Sequence, residues 1–355
     1  MIDVAELLER AVRLSSPSGE EAEVARYLVS RMASFADRAF VDEAGNAVAQ
    51  LGSGERHLVF LGHIDTAPGE VPVRITDGKL YGRGTVDAKG PFCAAVAAAS
   101  RLAPEVLGHL RLTLIGAVEE EAPSSRGARY AVTAYDRPDL IIIGEPSGWD
   151  AMTLGYKGRL VLSLGREKDN VHSAGDEATA AEVIAEGWQR VRDWVGWTNQ
   201  KRGEEGLFER VQVSLQSIES ANDGLTQRAA AVIGFRLPPG LPPGSVEASL
   251  RGMLEEKEGN LKLAFSGHER AYRGAKDTLL TRAFRLAIRE LGGTPRFKVK
   301  TGTSDMNVVA PYWDVPMLAY GPGDSSLDHR PDEHVALRDY RKAIELLTRV
   351  FSGLG

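Results

Sequence analysis

The chain has 355 residues, of which 43% are hydrophobic and 26% charged, values typical of a globular protein and not of a disordered or fibrous one. Its 43 basic and 49 acidic side chains give a net charge of −6, so the chain as a whole has no electrostatic reason to bind nucleic acid or an anionic membrane. A single cysteine, Cys93, excludes an intramolecular disulfide, and the N-terminus lacks the basic and apolar start of a secretory signal. We therefore expect a cytoplasmic protein of about two domains.

The first 155 residues alternate predicted helices with short apolar strands. This alternation is typical of an α/β sheet that is flanked by helices on both faces. Amphipathic spacing and turn residues predict the helices, and apolar runs between turn residues predict the strands. Helices are predicted over residues 4–14, from a capped turn at 16–21 to about 33, and over 89–102; strands are predicted over 47–51, 57–61, 80–82, 110–118 and 140–143.

From about residue 156 the pattern changes to a β-α-β-β-α-β order, which indicates a self-contained α+β unit of the ferredoxin-like kind. After residue 275 the first pattern resumes. We therefore predict a catalytic α/β domain formed by residues 1–155 and 271–355, interrupted by a smaller domain inserted at 156–270. The elements predicted here are strands 159–164, 209–217, 228–237, 260–265, 296–300 and 316–320, and helices 179–195, 245–256, 275–291 and 337–351.

One predicted strand, 57–61, leads directly to a histidine and an aspartate that are two residues apart, His63 and Asp65. Because side chains alternate along a strand, both would point the same way. This arrangement suits a metal-ligating imidazole whose tautomer is fixed by a neighbouring carboxylate. The alternative is a pair that only satisfies hydrogen bonds of the loop.

Further acidic residues and a histidine follow other strands and turns. Asp87 lies in a glycine-rich turn that lacks the third glycine of a dinucleotide-binding fingerprint. Glutamates 119–121 and Glu145 each follow an apolar strand, and His329 lies in a late loop. The carboxyl ends of strands in an open α/β sheet are where such folds bind ligands, and a mixed set of imidazole and carboxylate ligands suits zinc or cobalt. The carboxylates of this set carry enough negative charge to balance two divalent ions. The alternative is that the glutamate run is an ordinary solvated surface, as acidic runs usually are.

In order along the chain, these motifs resemble those of the M20 metallopeptidases, a di-zinc family of carboxypeptidases and deacylases with a zinc-peptidase-like mixed sheet and an inserted lid or dimerisation domain. The segments that match the family are GHIDT at 62–66, GRGTVDAKG at 82–90, the glutamate run, GEPS at 144–147, a histidine in the inserted region, GTSD at 302–305 and DHRPDEH at 328–334. Within the family, the chain is most similar to the short branch that hydrolyses conjugates of lysine or ornithine with an amino-group carrier protein. This similarity rests on the compact length and on the segments VEEEA at 118–122, SRGAR at 125–129, GYKGR at 155–159 and LDHRPDEHV at 327–335.

The resemblance implies a role for each residue of the candidate metal site. His63 and Glu145 would be terminal ligands, and Asp87 would bridge two divalent ions, with zinc favoured and cobalt the alternative. His329 and one glutamate of the run would complete the ligands of the second ion. Asp65 would orient His63.

The three consecutive glutamates allow two alignments with the Asp-Glu-Glu of the family. In the first, Glu119 takes the place of the aspartate, Glu120 is the general base and Glu121 is the ligand. In the second, Glu119 is the base and Glu120 the ligand. We prefer the first alignment, because it keeps an acidic residue at the leading position and needs the shorter insertion before Gly127.

The resemblance also implies residues that contact the substrate. His172 matches a histidine that reaches the active site of the partner subunit in dimeric members and stabilises the oxyanion. Asn222 and Arg236 match residues that hold the substrate carboxylate, a task for which arginine is well suited. A loop histidine, a turn and a solvated strand end are the alternatives. Further backbone or hydroxyl contacts are expected from Gly302, Thr303 and Ser304.

Together these features predict a homodimeric amide hydrolase of lysine or arginine biosynthesis that acts on an acidic carrier-protein conjugate. The alternatives are a deacetylase of acetylornithine or acetyl-lysine, another acyl-amino-acid hydrolase of the family, and a metal-free binding protein with this fold. Basic residues close in sequence to the proposed site would form a docking patch for the carrier, unless they are ordinary solvated side chains. They are Arg126, Arg129, Lys157, Arg159, Arg166 and Lys168.

Overall fold

The structure, a computed structural model, describes residues 3–170, 175–203, 206–255 and 261–355. The chain divides into two compact units, which we call the large unit and the small unit. Among the described residues, no helix is both long and apolar enough to cross a membrane. The large unit comprises Met1–Gly155, Gly274–Val299 and Ser304–Gly355, and the small unit comprises Tyr156–Arg273 and Lys300–Thr303.

The described residues form ten α-helices. They are α1 (Val4–Arg13), α2 (Ala22–Met32), α3 (Lys89–Ala99), α4 (Pro104–Leu107), α5 (Arg126–Ala134), α6 (Ala180–Arg202), α7 (Pro243–Glu255), α8 (Leu279–Glu290), α9 (Asp305–Val309) and α10 (Leu337–Leu354), with one 3-10 turn at Ser325–Leu327. Helix α1 begins at Asp3, whose carboxylate accepts hydrogen bonds from the first free backbone amides.

The strands are β1 (Arg38–Val41), β2 (Ala47–Leu51), β3 (Arg56–His63), β4 (Arg74–Thr76), β5 (Lys79–Tyr81), β6 (Leu110–Ala117), β7 (Leu140–Gly144), β8 (Ala151–Tyr156), β9 (Gly158–Asp169), β10 (Gln212–Asn222), β11 (Thr226–Leu237), β12 (Lys262–Glu269), β13 (Tyr272–Arg273), β14 (Arg296–Lys300), β15 (Met317–Ala319) and β16 (His334–Ala336).

The large unit is built on a mixed sheet with the strand order β1-β2-β6-β3-β7-β15-β8. Its four central strands β6, β3, β7 and β15 are parallel to one another. Strand β2 pairs antiparallel with both β1 and β6, and β8 pairs antiparallel with β15. Helix α3 is alanine-rich and buried along its whole length, because its small side chains let it pack closely in the core beside α1 and α10. The predicted α/β fold with a mixed sheet and flanking helices is confirmed.

The small unit is an antiparallel sheet with the strand order β12-β9-β11-β10. Helices α6 and α7 pack against this sheet around a core of their own. Its elements follow one another in the predicted β-α-β-β-α-β order, and Thr179 and Glu182 form a capping box at the start of α6. Residues 271–273 and 300–303 belong to this unit, whereas the sequence-based division assigned them to the catalytic domain.

Candidate metal centre

Three neighbouring parallel strands bring the predicted ligands to one edge of the large sheet. Strand β3 lies between β6 and β7 and is parallel to both. His63 is the last residue of β3, Glu145 directly follows β7, and Glu121 lies in the loop after β6. Because parallel strands end at the same edge of a sheet, the side chains converge there.

Asp87 lies between two histidines and contacts both. Its Oδ1 atom is 3.2 Å from Nε2 of His63, and its Oδ2 atom is 3.0 Å from Nε2 of His329. Oε1 of Glu145 lies 3.9 Å from Nε2 of His63, and Oε1 of Glu121 lies 2.7 Å from Nε2 of His329. These five residues, which we call the acid-histidine cluster, therefore form two halves that share one carboxylate.

The chemistry of the cluster fits divalent cations. One ligand atom each from His63, Asp87 and Glu121 lie within 4.8 Å of one another. Imidazole nitrogens and carboxylate oxygens are ligands that zinc uses in hydrolases. Carboxylates this close together repel one another unless cations or protons neutralise them. His329 also has a backbone φ of 62°, a conformation that is uncommon for residues other than glycine and is concentrated at functional sites.

Asp65 is buried and contacts both His63 and the glutamate loop. Nδ1 of His63 donates to the backbone carbonyl of Asp65 over 3.0 Å, which leaves Nε2 free to face the cluster. The Asp65 carboxylate accepts from the amides of Glu120 and Glu121, at 3.1 and 3.0 Å, and from the hydroxyl of Ser18 at 2.7 Å. Burial raises the pKa of Asp65, but His63 and these donors outweigh burial and lower it. Asp65 therefore stays ionised and orients both His63 and the loop that carries Glu120 and Glu121.

The three glutamates have different surroundings. Oε1 of Glu119 lies 2.9 Å from Nε of Arg126, and its other oxygen accepts from the Ser124 hydroxyl, so this carboxylate is engaged outside the cluster. Burial, assisted by the nearby carboxylates of Glu145 and Asp305, raises the pKa of Glu120 well above its ordinary value. Glu121 contacts His329. Of the three glutamates, Glu121 therefore contacts the histidine and Glu119 does not; the assignment of base and ligand stays a prediction.

In the metal-free protein both histidines of the cluster bind protons strongly. Burial lowers the pKa of His63, but hydrogen bonds with Asp65 and Asp87 outweigh burial and raise it well above its usual value. Hydrogen bonds with Asp87 and Glu121 raise the pKa of His329 to about 10. Metal ions bind neutral imidazole, so their binding must release these protons.

We expect the metal-free protein to lose stability as the pH rises from 6.5 towards 10. A group whose pKa is higher in the folded than in the unfolded state contributes stability that is full below the unfolded pKa and is lost as the pH rises through the folded pKa. For His329 these values are 6.5 and about 10. The measurement is the melting temperature of chelator-treated protein at several pH values.

His329→Gln is the matched variant for this measurement, because it removes one titrating group. The difference in melting temperature between the wild type and this variant should shrink as the pH rises. A difference that stays constant or grows over this range would contradict the expected linkage.

Of the residues expected to contact the substrate, His172 lies outside the described residues. Asn222 ends β10, where its side chain donates to Asn170 and accepts from the amide of Gly224, so it holds the turn before β11. On β11, Nη1 of Arg236 donates to Oγ1 of Thr303 over 2.8 Å, and both residues belong to the small unit. Ser304 caps helix α9, and Gly302 immediately precedes Thr303. Their binding roles stay predictions.

Two lysines of the expected basic docking patch have shielded side chains: Lys157, and Lys168, whose side chain is 8% exposed and pairs with Glu177. Lys157 is fully buried, and its ammonium group donates to the carbonyl of Leu207 and to the side chain of Gln212. Burial lowers the pKa of Lys157 to about 8. The prediction that Lys157 belongs to a surface patch was therefore wrong. This lysine fixes a loop of the small unit instead, and the sequence alone gives no sign of those contacts.

Two buried carboxylates near the cluster, Asp305 and Glu333, were not among the predicted site residues. Asp305 is 2% exposed, and its Oδ1 atom has no hydrogen-bond partner among the described residues. Burial raises the pKa of Asp305 to about 8, with further contributions from Asp65 and Glu145. Glu333 is fully buried beside the segment that ends at Asp87. Asp305 lies in the GTSD segment and Glu333 in the DHRPDEH segment, each close to predicted site residues. This position is the sequence signal that could have identified them.

The sequence model of the peptidase family M20/M25/M40 matches residues 59–352. The chain belongs to this family. A LysW-lysine hydrolase of Deinococcus radiodurans is 54% identical over 351 residues, which cover 98% of this chain and 96% of the relative. A protein of Thermococcus kodakarensis, provisionally named a LysW-lysine/LysW-ornithine hydrolase, is 39% identical over 98% of this chain and 91% of its own length.

A solved structure of the M20 family has the same fold. The metallo-carboxypeptidase Sso-CP2 of Sulfolobus solfataricus matches with a TM-score of 0.81 and 19% identity, over 99% of each chain. The predicted family and its hydrolase class are thus confirmed, and the acid-histidine cluster is the candidate metal centre of this M20 chain.

Proposed function

We propose that the chain is a metal-dependent amide hydrolase that releases L-lysine, L-ornithine or both from a conjugate with a LysW-type amino-group carrier protein. The observation that carries this proposal is the 54% identity to a LysW-lysine hydrolase over almost the whole of both chains. Support comes from the acid-histidine cluster, in which His63, Asp87 and Glu121 lie close enough together to share a cation. In the proposal the enzyme works in the cytoplasm, in lysine or arginine biosynthesis.

The cluster would hold two ions, with zinc favoured over cobalt. His63 and Glu145 would bind one ion, His329 and Glu121 the other, and Asp87 both, as their mutual distances suggest. When bound, such ions supply Lewis acidity, which polarises an amide carbonyl and makes a water molecule more acidic.

Glu120 is the proposed general base and acid. Its carboxylate accepts a proton from the attacking water and afterwards gives that proton to the leaving amine. In the metal-free protein, burial raises the pKa of Glu120, so its surroundings favour the uptake of a proton. Asp65 supports this role, since its carboxylate accepts from the backbone amide of Glu120.

The expected substrate-contacting residues keep the roles that the resemblance implies. Arg236 binds the carboxylate of the released amino acid, and the Thr303 hydroxyl that it contacts helps to orient its guanidinium. Asn222, Gly302 and Ser304 contribute to substrate binding. His172 stabilises the oxyanion from the partner subunit of a homodimer, for which residues 156–270 supply the lid and the dimer contacts.

A panel of three substrates tests the proposed function. The purified, zinc-loaded protein is assayed with carrier-bound lysine, carrier-bound ornithine and free acetylornithine. We expect kcat/KM for a carrier conjugate to exceed that for acetylornithine by at least about tenfold, which corresponds to about 1.4 kcal/mol of preferential transition-state binding. Glu120→Gln protein, prepared in parallel, is the control for contaminating hydrolases.

The other outcomes of this panel point to the alternative functions. Faster cleavage of acetylornithine would overturn the proposal that the substrate is a carrier-protein conjugate, and would favour a deacetylase. A protein that retains no divalent metal and cleaves none of the substrates would favour a binding protein with this fold.

A further inference from the structure

Glu333 is a buried residue whose side-chain hydrogen bonds all reach one neighbouring segment, residues 83–87. Its Oε1 atom accepts from the backbone amides of Val86 and Asp87, at 3.0 and 3.3 Å, and its Oε2 atom accepts from Nη1 of Arg83 at 2.8 Å. Its backbone carbonyl accepts from the amide of Gly82 over 3.2 Å. The side chain is completely shielded from water.

These contacts connect two loops that carry cluster residues. Asp87 lies between β5 and α3, and His329 lies four residues before Glu333 in the loop that leads to β16. Strand β16, which directly follows Glu333, pairs with β5, so the two loops are joined by backbone pairing as well as by the carboxylate. The carboxylate is thus placed to set the distance between Asp87 and His329.

We propose that Glu333 is a positioning residue that holds the backbone of Asp87, so that the two oxygens of the Asp87 carboxylate face His63 and His329 at the same time. Residues that orient metal ligands through hydrogen bonds contribute to metal affinity although they do not touch the metal. Because Asp87 is shared by the two halves of the cluster, displacement of its backbone should weaken the binding of both ions. This inference rests on the proposed metal dependence but not on the proposed substrate.

The chemistry of the contacts explains why a carboxylate is needed at this position. Three donors converge on Glu333: two amides and one guanidinium. A carboxylate offers two acceptor oxygens, whereas a glutamine side chain offers one and would point its amino group at a donor. Burial raises the pKa of Glu333, and the three donors oppose this rise because they stabilise the ionised form.

The experiment measures the affinity for zinc of the whole protein by competition with a chromogenic chelator at fixed pH. We expect Glu333→Gln to lower the affinity for both zinc ions by about 10–100-fold. Glu333→Asp keeps the charge but shortens the side chain, so it should also lower the affinity for both ions. Glu290→Gln is the matched control: its carboxylate is half exposed and pairs with Arg349, and its zinc affinities should equal those of the wild type.

Melting temperatures of the metal-free variants separate positioning from a merely structural role. A variant with a lower melting temperature but wild-type affinity for both ions would show that Glu333 only stabilises the fold, and would overturn the inference. Loss of only one ion would overturn the claim that it acts through the shared carboxylate. A wild-type protein that binds two ions but cleaves no substrate would refute the proposed function and leave this inference standing.

Discussion

Replacement of Glu120 by glutamine is expected to lower kcat by about 10²–10⁴-fold, the usual contribution of a general acid or base. Glutamine keeps the shape of the side chain but can neither accept the proton of the attacking water nor return it to the amine. The amide of residue 120 would still donate to Asp65, so the loop should keep its conformation. The zinc content, measured by mass spectrometry, should stay at the wild-type value because the ligands are intact.

Glu119→Gln is the matched control for this variant, since it makes the same chemical change one residue earlier. The Glu119 carboxylate is engaged by Arg126 and Ser124, so its replacement should leave kcat within about threefold of the wild type, a change of less than 1 kcal/mol. The opposite pattern, with activity retained in Glu120→Gln and lost in Glu119→Gln, would shift the assignment of base and ligand by one residue.

The approach of the cluster residues to one another was predictable from the sequence because each follows a recognisable signal. His63 and Glu145 directly follow apolar runs that form neighbouring parallel strands, and parallel strands end at a common edge. Asp87 lies just before the alanine-rich helix α3, whose composition identifies it as a core helix. Local pattern and sheet geometry were therefore sufficient for these residues.

The orientation of the glutamates was not predictable, because three consecutive identical residues give no local signal. It depends on Arg126, which begins helix α5, an element that the sequence analysis did not predict. The burial of Lys157 and Glu333 could not be predicted either, since charged residues are rarely fully buried. Only the three-dimensional contacts show where their partners lie. The lengths of some elements also depend on pairing: β9 continues to Asp169 through charged residues, because β11 pairs with it along its whole length.

Asp87→Asn is expected to have the largest effect on metal binding. Asp87 contacts both histidines, and the amide of asparagine offers one oxygen where the carboxylate offers two, so it cannot serve both halves of the cluster. We expect at least one zinc ion per chain to be lost, and kcat to fall by about 10²–10³-fold as several kcal/mol of charge stabilisation disappear.

Thermal unfolding distinguishes this loss from general damage to the fold. An ion that binds only the folded state stabilises it by about 4 kcal/mol at a thousandfold excess over its dissociation constant, so zinc should raise the melting temperature of the wild type markedly. In Asp87→Asn this increase should be largely absent. Asp332→Asn is the control: this aspartate lies in the His329 loop but is exposed and pairs with Arg330, so the increase should be preserved. An unchanged increase in Asp87→Asn would show that the ions bind elsewhere, because a carboxylate shared by both halves of the cluster cannot be neutralised without weakening its hold on the metal.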